Sequence, residues 1–208
     1  MGTDEDRPRS VSRIRDGRAW RIATAAEVAW IRDGTSVTRA ITPAIPPVFD
    51  AYATLELPGA RSDPEAAWSA DAQRRHDDAL LALLSRYAPP QPWWLGYLDT
   101  GTDDIVFPDA PPVTLYAGWS YVLVEARPQQ AAEWRREHLA SFWKGALPNL
   151  MFPADRSWLV STLWDDDWTC IGGPGDLVDD LLGDPELGPR TRRVALDDDA
   201  TPPGHRAW

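Results

Sequence analysis

Runs of two different periods alternate along this chain, and prolines separate them. From Phe49 to Leu57, apolar Phe49, Ala51, Ala53, Leu55 and Leu57 alternate with Asp50, Tyr52, Thr54 and Glu56. A period of two is that of a strand with one buried face. From about Pro64 to Tyr87 the spacing changes, and Ala72, His76, Ala79, Leu80, Leu83, Leu84 and Tyr87 fall on one stripe of a helix. Pro43, Pro46 and Pro47 hold the approach to the first run extended, while Pro89, Pro90 and Pro92 stop the second. Short elements of both kinds in one chain predict an α+β fold: an antiparallel sheet with three to four helices covering one face, in a single domain.

The other elements follow from similar signals. Thr24 and Glu27 form a capping box for a short helix ending at Gly34. Trp93–Leu98 and Ile105–Phe107 flank Asp99–Asp104 like the arms of a hairpin. Val113–Tyr116 and Trp119–Ala126 read as strands. Over residues 129–144, Ala131, Trp134, Arg135, His138, Leu139 and Phe142 share a helix face, and Gly145 suits the position after its end. Trp158–Trp164 and Trp168–Ile171 read as strands joined by Asp165, Asp166 and Asp167. Gly172-Gly173-Pro174 opens a last helix with proline at its first position, and Val194 and Leu196 suit a final edge strand. Residues 1–18 lack an apolar pattern and read as a flexible tail, residues 19–198 as the domain, and residues 199–208 as a second loose end.

Composition narrows the function classes. With 43% hydrophobic and 25% charged residues the chain is not wholly disordered. No apolar run approaches the length of a membrane span, so no transmembrane helix and no membrane partner is expected. The net charge of −11 repels phosphate backbones and argues against nucleic acid. Acidity concentrates toward the C-terminus, where residues 160–208 carry eleven acids against four arginines. Lys144 is the one lysine among 21 basic residues, and Asn149 the one asparagine; this bias has the look of a genome rich in G and C, so arginine content by itself says nothing about ligands. Cys170 is the single cysteine, which excludes an intrachain disulfide and a cysteine-based zinc site and fits a reducing cytoplasm. The acidic start Met1–Asp6 has no apolar segment behind it, so no signal peptide is expected.

Several motifs look chemical and fall short of it. Gly172–Asp176 lies between strand and helix, as an anion-binding loop does, yet it lacks the lysine and hydroxyl of a P-loop, and Asp176 occupies the positive helix end. Gly118-Trp119-Ser120-Tyr121-Val122 begins like a nucleophile elbow without the second glycine and sits inside a strand pattern. His76-Asp77-Asp78 resembles the doublet of metal phosphohydrolases, but no histidine precedes it; His76 and His138 both fall on or beside helix stripes. Glu133, Glu137 and His138 lack Glu-x-x-His spacing. Cys170 alternates within a strand as a buried, inert thiol would. These readings leave no catalytic residue, no metal site and no cofactor to name.

Trp164-Asp165-Asp166-Asp167-Trp168 is the most conspicuous run. Three carboxylates at a hairpin tip could meet a basic partner, with the tryptophans as anchors. The plainer reading is a solvated turn between two core aromatics. Three consecutive side chains fan out around a turn and do not converge on one metal.

The segments AIPPVFDAYATLEL (44–57) and DRSWLVSTLWDDDWTCIGGPGDLVDDLL (155–182) resemble parts of proteins common in high-GC bacteria, a group with no assigned activity. By size and element order the chain is also similar to toxin-immunity domains of the SUKH type, a likeness of outline that transfers no residue roles. The expectation is therefore a non-enzymatic cytoplasmic interaction protein, of immunity type, with a basic protein as its partner and Trp164–Trp168 as its contact. Two alternatives stay open. One is an enzyme in which carboxylates such as Asp50, Glu56 and Glu125 converge; the other is a carrier with an aromatic pocket from Trp119, Tyr121 and Trp158.

Overall fold

The computed structural model describes residues 11–59, 69–100, 106–136, 146–163 and 166–205. Among them are ten strands in one antiparallel sheet and four α-helices, an α+β fold in a single domain. The strands are β1 (Val11–Arg15), β2 (Arg18–Ile22), β3 (Ala51–Glu56), β4 (Trp93–Leu98), β5 (Val113–Leu115), β6 (Trp119–Ala126), β7 (Leu150–Pro153), β8 (Leu159–Ser161), β9 (Trp168–Gly173) and β10 (Thr191–Val194). Their order across the sheet is β1-β2-β6-β4-β7-β8-β9-β3-β10, with β5 paired to the first half of β6. The helices are α1 (Ala25–Arg32), α2 (Ala70–Arg86), α3 (Pro128–Arg136) and α4 (Gly175–Gly183).

The sheet is covered on both faces, not one. Trp93, Leu95 and Tyr97 of β4, Val122 and Val124 of β6 and Ile171 of β9 pack with Leu80, Leu83 and Leu84 of α2, Trp134 of α3 and Leu177 and Leu181 of α4. The intervening residues Trp94, Leu98, Tyr121, Leu123, Phe152 and Cys170 pack with Val28 and Ile31 of α1 and with Ile41, Ala44 and Ile45 of the connector that follows it. This explains why β3 is buried on both sides, although its sequence alternates. Tyr52 lies under the connector, its hydroxyl accepting from the Phe49 N–H at 2.8 Å, and Thr54 is also enclosed.

Local signals explain the helix ends. Both halves of the Thr24–Glu27 capping box form, and Ser69 caps α2 by accepting from the Ala72 N–H at 3.1 Å. Pro174 caps α4 and is not its first helical residue. β4 does not pair with Val106 or Phe107, the described part of the expected second arm. It pairs with β6 and β7 in the sheet centre, and Val106 and Phe107 pack as a buried turn; residues 101–105 lie outside the described set. Of the helix expected over 129–144, residues 137–144 lie outside it too.

Residues 11–18 and 199–205 are more ordered than their composition implies. Residues 11–18, read as tail, form β1 and the turn into β2, an edge hairpin in which the Trp20 indole donates to the Arg15 carbonyl at 3.2 Å. Residues 199–205, read as a loose end, pack against the sheet. The Ala200 N–H donates to the Arg39 carbonyl at 3.0 Å, and the Arg192 guanidinium donates to the carbonyls of Asp199 and Thr201 at 2.9 and 3.2 Å.

Candidate functional site

The turn from β5 into β6 has the most unusual backbone of the described residues. Tyr116, Ala117 and Gly118 follow one another with φ of 42°, 61° and 110°. Glycine adopts such angles freely, while a tyrosine does so at a cost and needs its surroundings to hold it. Here the Tyr116 ring is buried edge-on against Tyr121, centroids 5.5 Å apart, and its hydroxyl accepts from Ser161 Oγ at 3.1 Å. The turn delivers Trp119, 45% exposed, to the mouth of a cleft of about 580 Å³. The connector residues Thr35, Val37 and Thr38 form the facing wall, with Val37 87% exposed. Leu163 and Asp166 of the β8–β9 hairpin border the same cleft.

Burial pushes the Tyr116 and Tyr121 phenols far above their usual range, so neither ionises near neutral pH. Arg32, on the rim, donates to the Asp33 carboxylate at 2.8 Å, and this bond raises its affinity for its proton. Trp119 and Val37 supply exposed apolar area beside Asp166.

The acidic run does not present three carboxylates together. Trp164 and Asp165 lie outside the described residues. Asp166 is half-buried on the cleft. Asp167, expected at an exposed tip, is 5% exposed and accepts from Nδ1 of His205, whose Nε2 lies 3.9 Å from Glu56. The reason is register. The Leu57 N–H donates to the Asp167 carbonyl at 2.9 Å, so Asp167 already runs beside the end of β3, and consecutive side chains of an extended segment face opposite ways. Trp168 is buried with its ring edge-on to the His205 ring, centroids 5.4 Å apart. His205 lies in a stretch whose composition suggests a loose end, and no local pattern in the sequence joins it to a residue 38 positions earlier.

The other candidates separate in space. Trp119 and Tyr121 share the cleft, whereas Trp158 belongs to the opposite sheet face, edge-on to Trp93 at 4.6 Å. Asp50 borders a small cleft beside Arg156, Glu125 pairs with Arg21 at 3.3 Å, and Glu56 lies near His205, so these three carboxylates form no joint pocket. His76 is buried, its Nδ1 accepting from Arg190 at 2.9 Å, and Asp77 holds Gln73 Nε2 and the Ala146 N–H at 2.8 and 3.0 Å. Both are structural. Cys170 is buried and its thiol is pushed upward by burial, as an inert core cysteine's is. Ser120 pairs across from Thr114 within the sheet and is no nucleophile elbow. Among the described residues no three His, Cys, Asp or Glu side chains group as a metal site would require. No described helix is long and apolar enough to cross a membrane.

What the sequence reading missed is the wall. Val37 stood in a stretch with no periodic signal, and Tyr116 and Ala117 are residue types that do not advertise a left-handed turn; Gly118 was the available hint. Comparison of the chain with protein-family models, with curated proteins and with solved structures gives no match.

Proposed function

We propose that this chain is a non-enzymatic, cytoplasmic binding protein of immunity type, which masks a basic protein partner with its acidic aromatic surface. The observation that carries the reading is the left-handed turn Tyr116–Gly118, which holds Trp119 at the mouth of the cleft beside Asp166. Backbone strain of this kind costs roughly 1–3 kcal/mol per residue and gathers at sites where function needs the conformation. A half-exposed tryptophan with a polar rim has the composition of an interface anchor. The net charge of −11 would steer a cationic partner toward it and speed association. The single, buried Cys170 accords with a cytoplasmic setting.

The carrier alternative draws on the same cleft, whose size of about 580 Å³ falls within the usual range of roughly 300–1,000 Å³ for small-molecule pockets. Selection from phage-displayed random peptides separates the two. Immobilised wild type should enrich Arg- and Lys-rich peptides that carry an apolar anchor, and Trp119→Ala should not. The same peptides from both proteins, or none above a blank surface, would refute the binding role of this cleft. Perturbation of Trp119 by apolar fragments, without peptide enrichment, would favour the carrier.

A further inference from the structure

A second cleft, of about 910 Å³, opens at the C-terminal end of β6, between β2, the 88–92 segment and the start of α3. Its charge runs against that of the molecule. Arg18, Arg21 and Arg127 line it with Glu125 as the one carboxylate. Arg21 is fully engaged: it pairs with Glu27 at 2.6 Å and Glu125 at 3.3 Å and lies over the Trp94 ring at 4.8 Å. Glu125 is thereby neutralised. Arg18 and Arg127 are exposed and have no carboxylate partner among the described residues. Arg18 is held over the Trp20 ring at 4.4 Å, which fixes the plane of its guanidinium. Gln91, also on the lining, accepts from the Asp155 N–H at 3.0 Å through Oε1, which sets its amide orientation. The first residues of α3, Pro128 and Gln129, complete the wall, so the positive end of that helix adds to the same field.

We infer that this cleft is a binding site for a small organic phosphate. Two guanidinium forks from separate elements, each able to hold two oxygens, suit a phosphate monoester better than a lone carboxylate, which one fork would saturate. A phosphate monoester carries about −1.5 to −2 charges near neutral pH, matching the two unpaired arginines. Exposed Pro89, Pro90 and Pro92 give an apolar rim for the rest of the ligand. The molecule's overall charge of −11 disfavours a long polyanion such as nucleic acid and leaves a compact ligand as the fitting occupant. The abundance of arginine in this chain carries none of this argument; the placement of two unpaired ones on a single cleft does.

Calorimetric titration of the full chain at low salt tests the inference, with phenyl phosphate as the probe and inorganic phosphate, benzoate and phenol as comparisons. Phenyl phosphate should bind more tightly than the other three. The double variant Arg18→Gln/Arg127→Gln should weaken it at least about tenfold, equivalent to about 1.4 kcal/mol, with an unchanged melting temperature. Arg18→Lys/Arg127→Lys, which keeps the charges and removes the forks, should fall between, and serves if the glutamine variant is unstable. No binding by wild type, equal binding by wild type and both variants, or benzoate or inorganic phosphate matching phenyl phosphate would overturn it.

Discussion

His76 gives the fold a calculable sensitivity to acid. Its side chain is 1% exposed, and its Nδ1 takes a hydrogen bond from Arg190 at 2.9 Å, so the ring must be neutral with its proton on Nε2. The same Arg190 Nη1 donates to the Glu56 carbonyl at 2.8 Å, and its Nη2 donates to the Glu186 carbonyl at 3.1 Å, which holds the guanidinium against the ring. Burial, and then the charge of Arg190, lower the imidazole's pKa from 6.5 to about 3. The unfolded chain therefore binds this proton at a higher pH than the folded chain does. Stability from His76 is complete above its unfolded value and is lost as pH falls from there toward 3. For those two values, linkage predicts a loss of about 2 kcal/mol between pH 7 and pH 5. Urea unfolding at both pH values, for wild type and His76→Gln, isolates it. Glutamine can still accept from Arg190 and does not titrate. The other two histidines are common to both proteins, and their contributions cancel in the difference. Wild type should lose about 2 kcal/mol more than the variant over this interval. Parallel losses would show that His76 takes up its proton alike in the folded and unfolded chains, and the buried Arg190 contact would have to be abandoned.

The remaining expectations concern the core and the chain ends. Leu83, fully buried between α2 and the sheet, should cost roughly 2–5 kcal/mol when changed to alanine, read as a lower urea midpoint with unchanged slope. Asp167→Asn should cost about 1.5–3 kcal/mol by weakening the bond to His205, and Asp166→Asn clearly less; equal costs would mean the His205 contact is idle. Removing residues 1–18 takes away β1 and uncovers Trp20, so the melting temperature should fall by more than about 2–4 °C, and an unchanged value would show that the edge hairpin adds nothing. Cys170 should react with a thiol reagent only at the rate of unfolding; fast labelling of the native protein would refute its burial.

The elements with strong local signals were legible: the capping box of α1, the stripe of α2 and the hairpin β8–β9 form where residue spacing places them, whereas the final edge strand, expected around Val194 and Leu196, runs from Thr191 to Val194 and leaves Leu196 exposed. Contacts between distant segments were not. Alternation in β3 indicates a polar face, and a polar face normally means solvent. Here Tyr52 is covered because the Pro-rich connector 41–49 folds back over it, and nothing in residues 49–57 encodes that return. Residues 11–18 failed as a strand signal for a related reason. An edge strand needs few apolar side chains, and arginine along it discourages pairing with other chains, so the composition of a protected edge resembles that of a tail.

The acidic run shows how the site itself divides between the two kinds of information. Composition found it, and its charge supports recognition of a basic surface. Strand geometry then separates its members. Asp167 turns inward, because the chain beside β3 is already extended there, and His205 supplies the counter-donor that makes burial of a carboxylate tolerable. Asp166, its neighbour, faces the other way, onto the cleft where Trp119 and Val37 are exposed. The proposed recognition surface is therefore not the hairpin tip as a unit. It is one carboxylate of the run joined to a tryptophan 47 positions earlier in the sequence. A substitution of all three aspartates would confound binding with loss of the His205 clamp. Trp119→Ala removes the anchor and leaves that clamp intact, so a loss of partner binding in Trp119→Ala at unchanged stability is the outcome that assigns the function to the cleft.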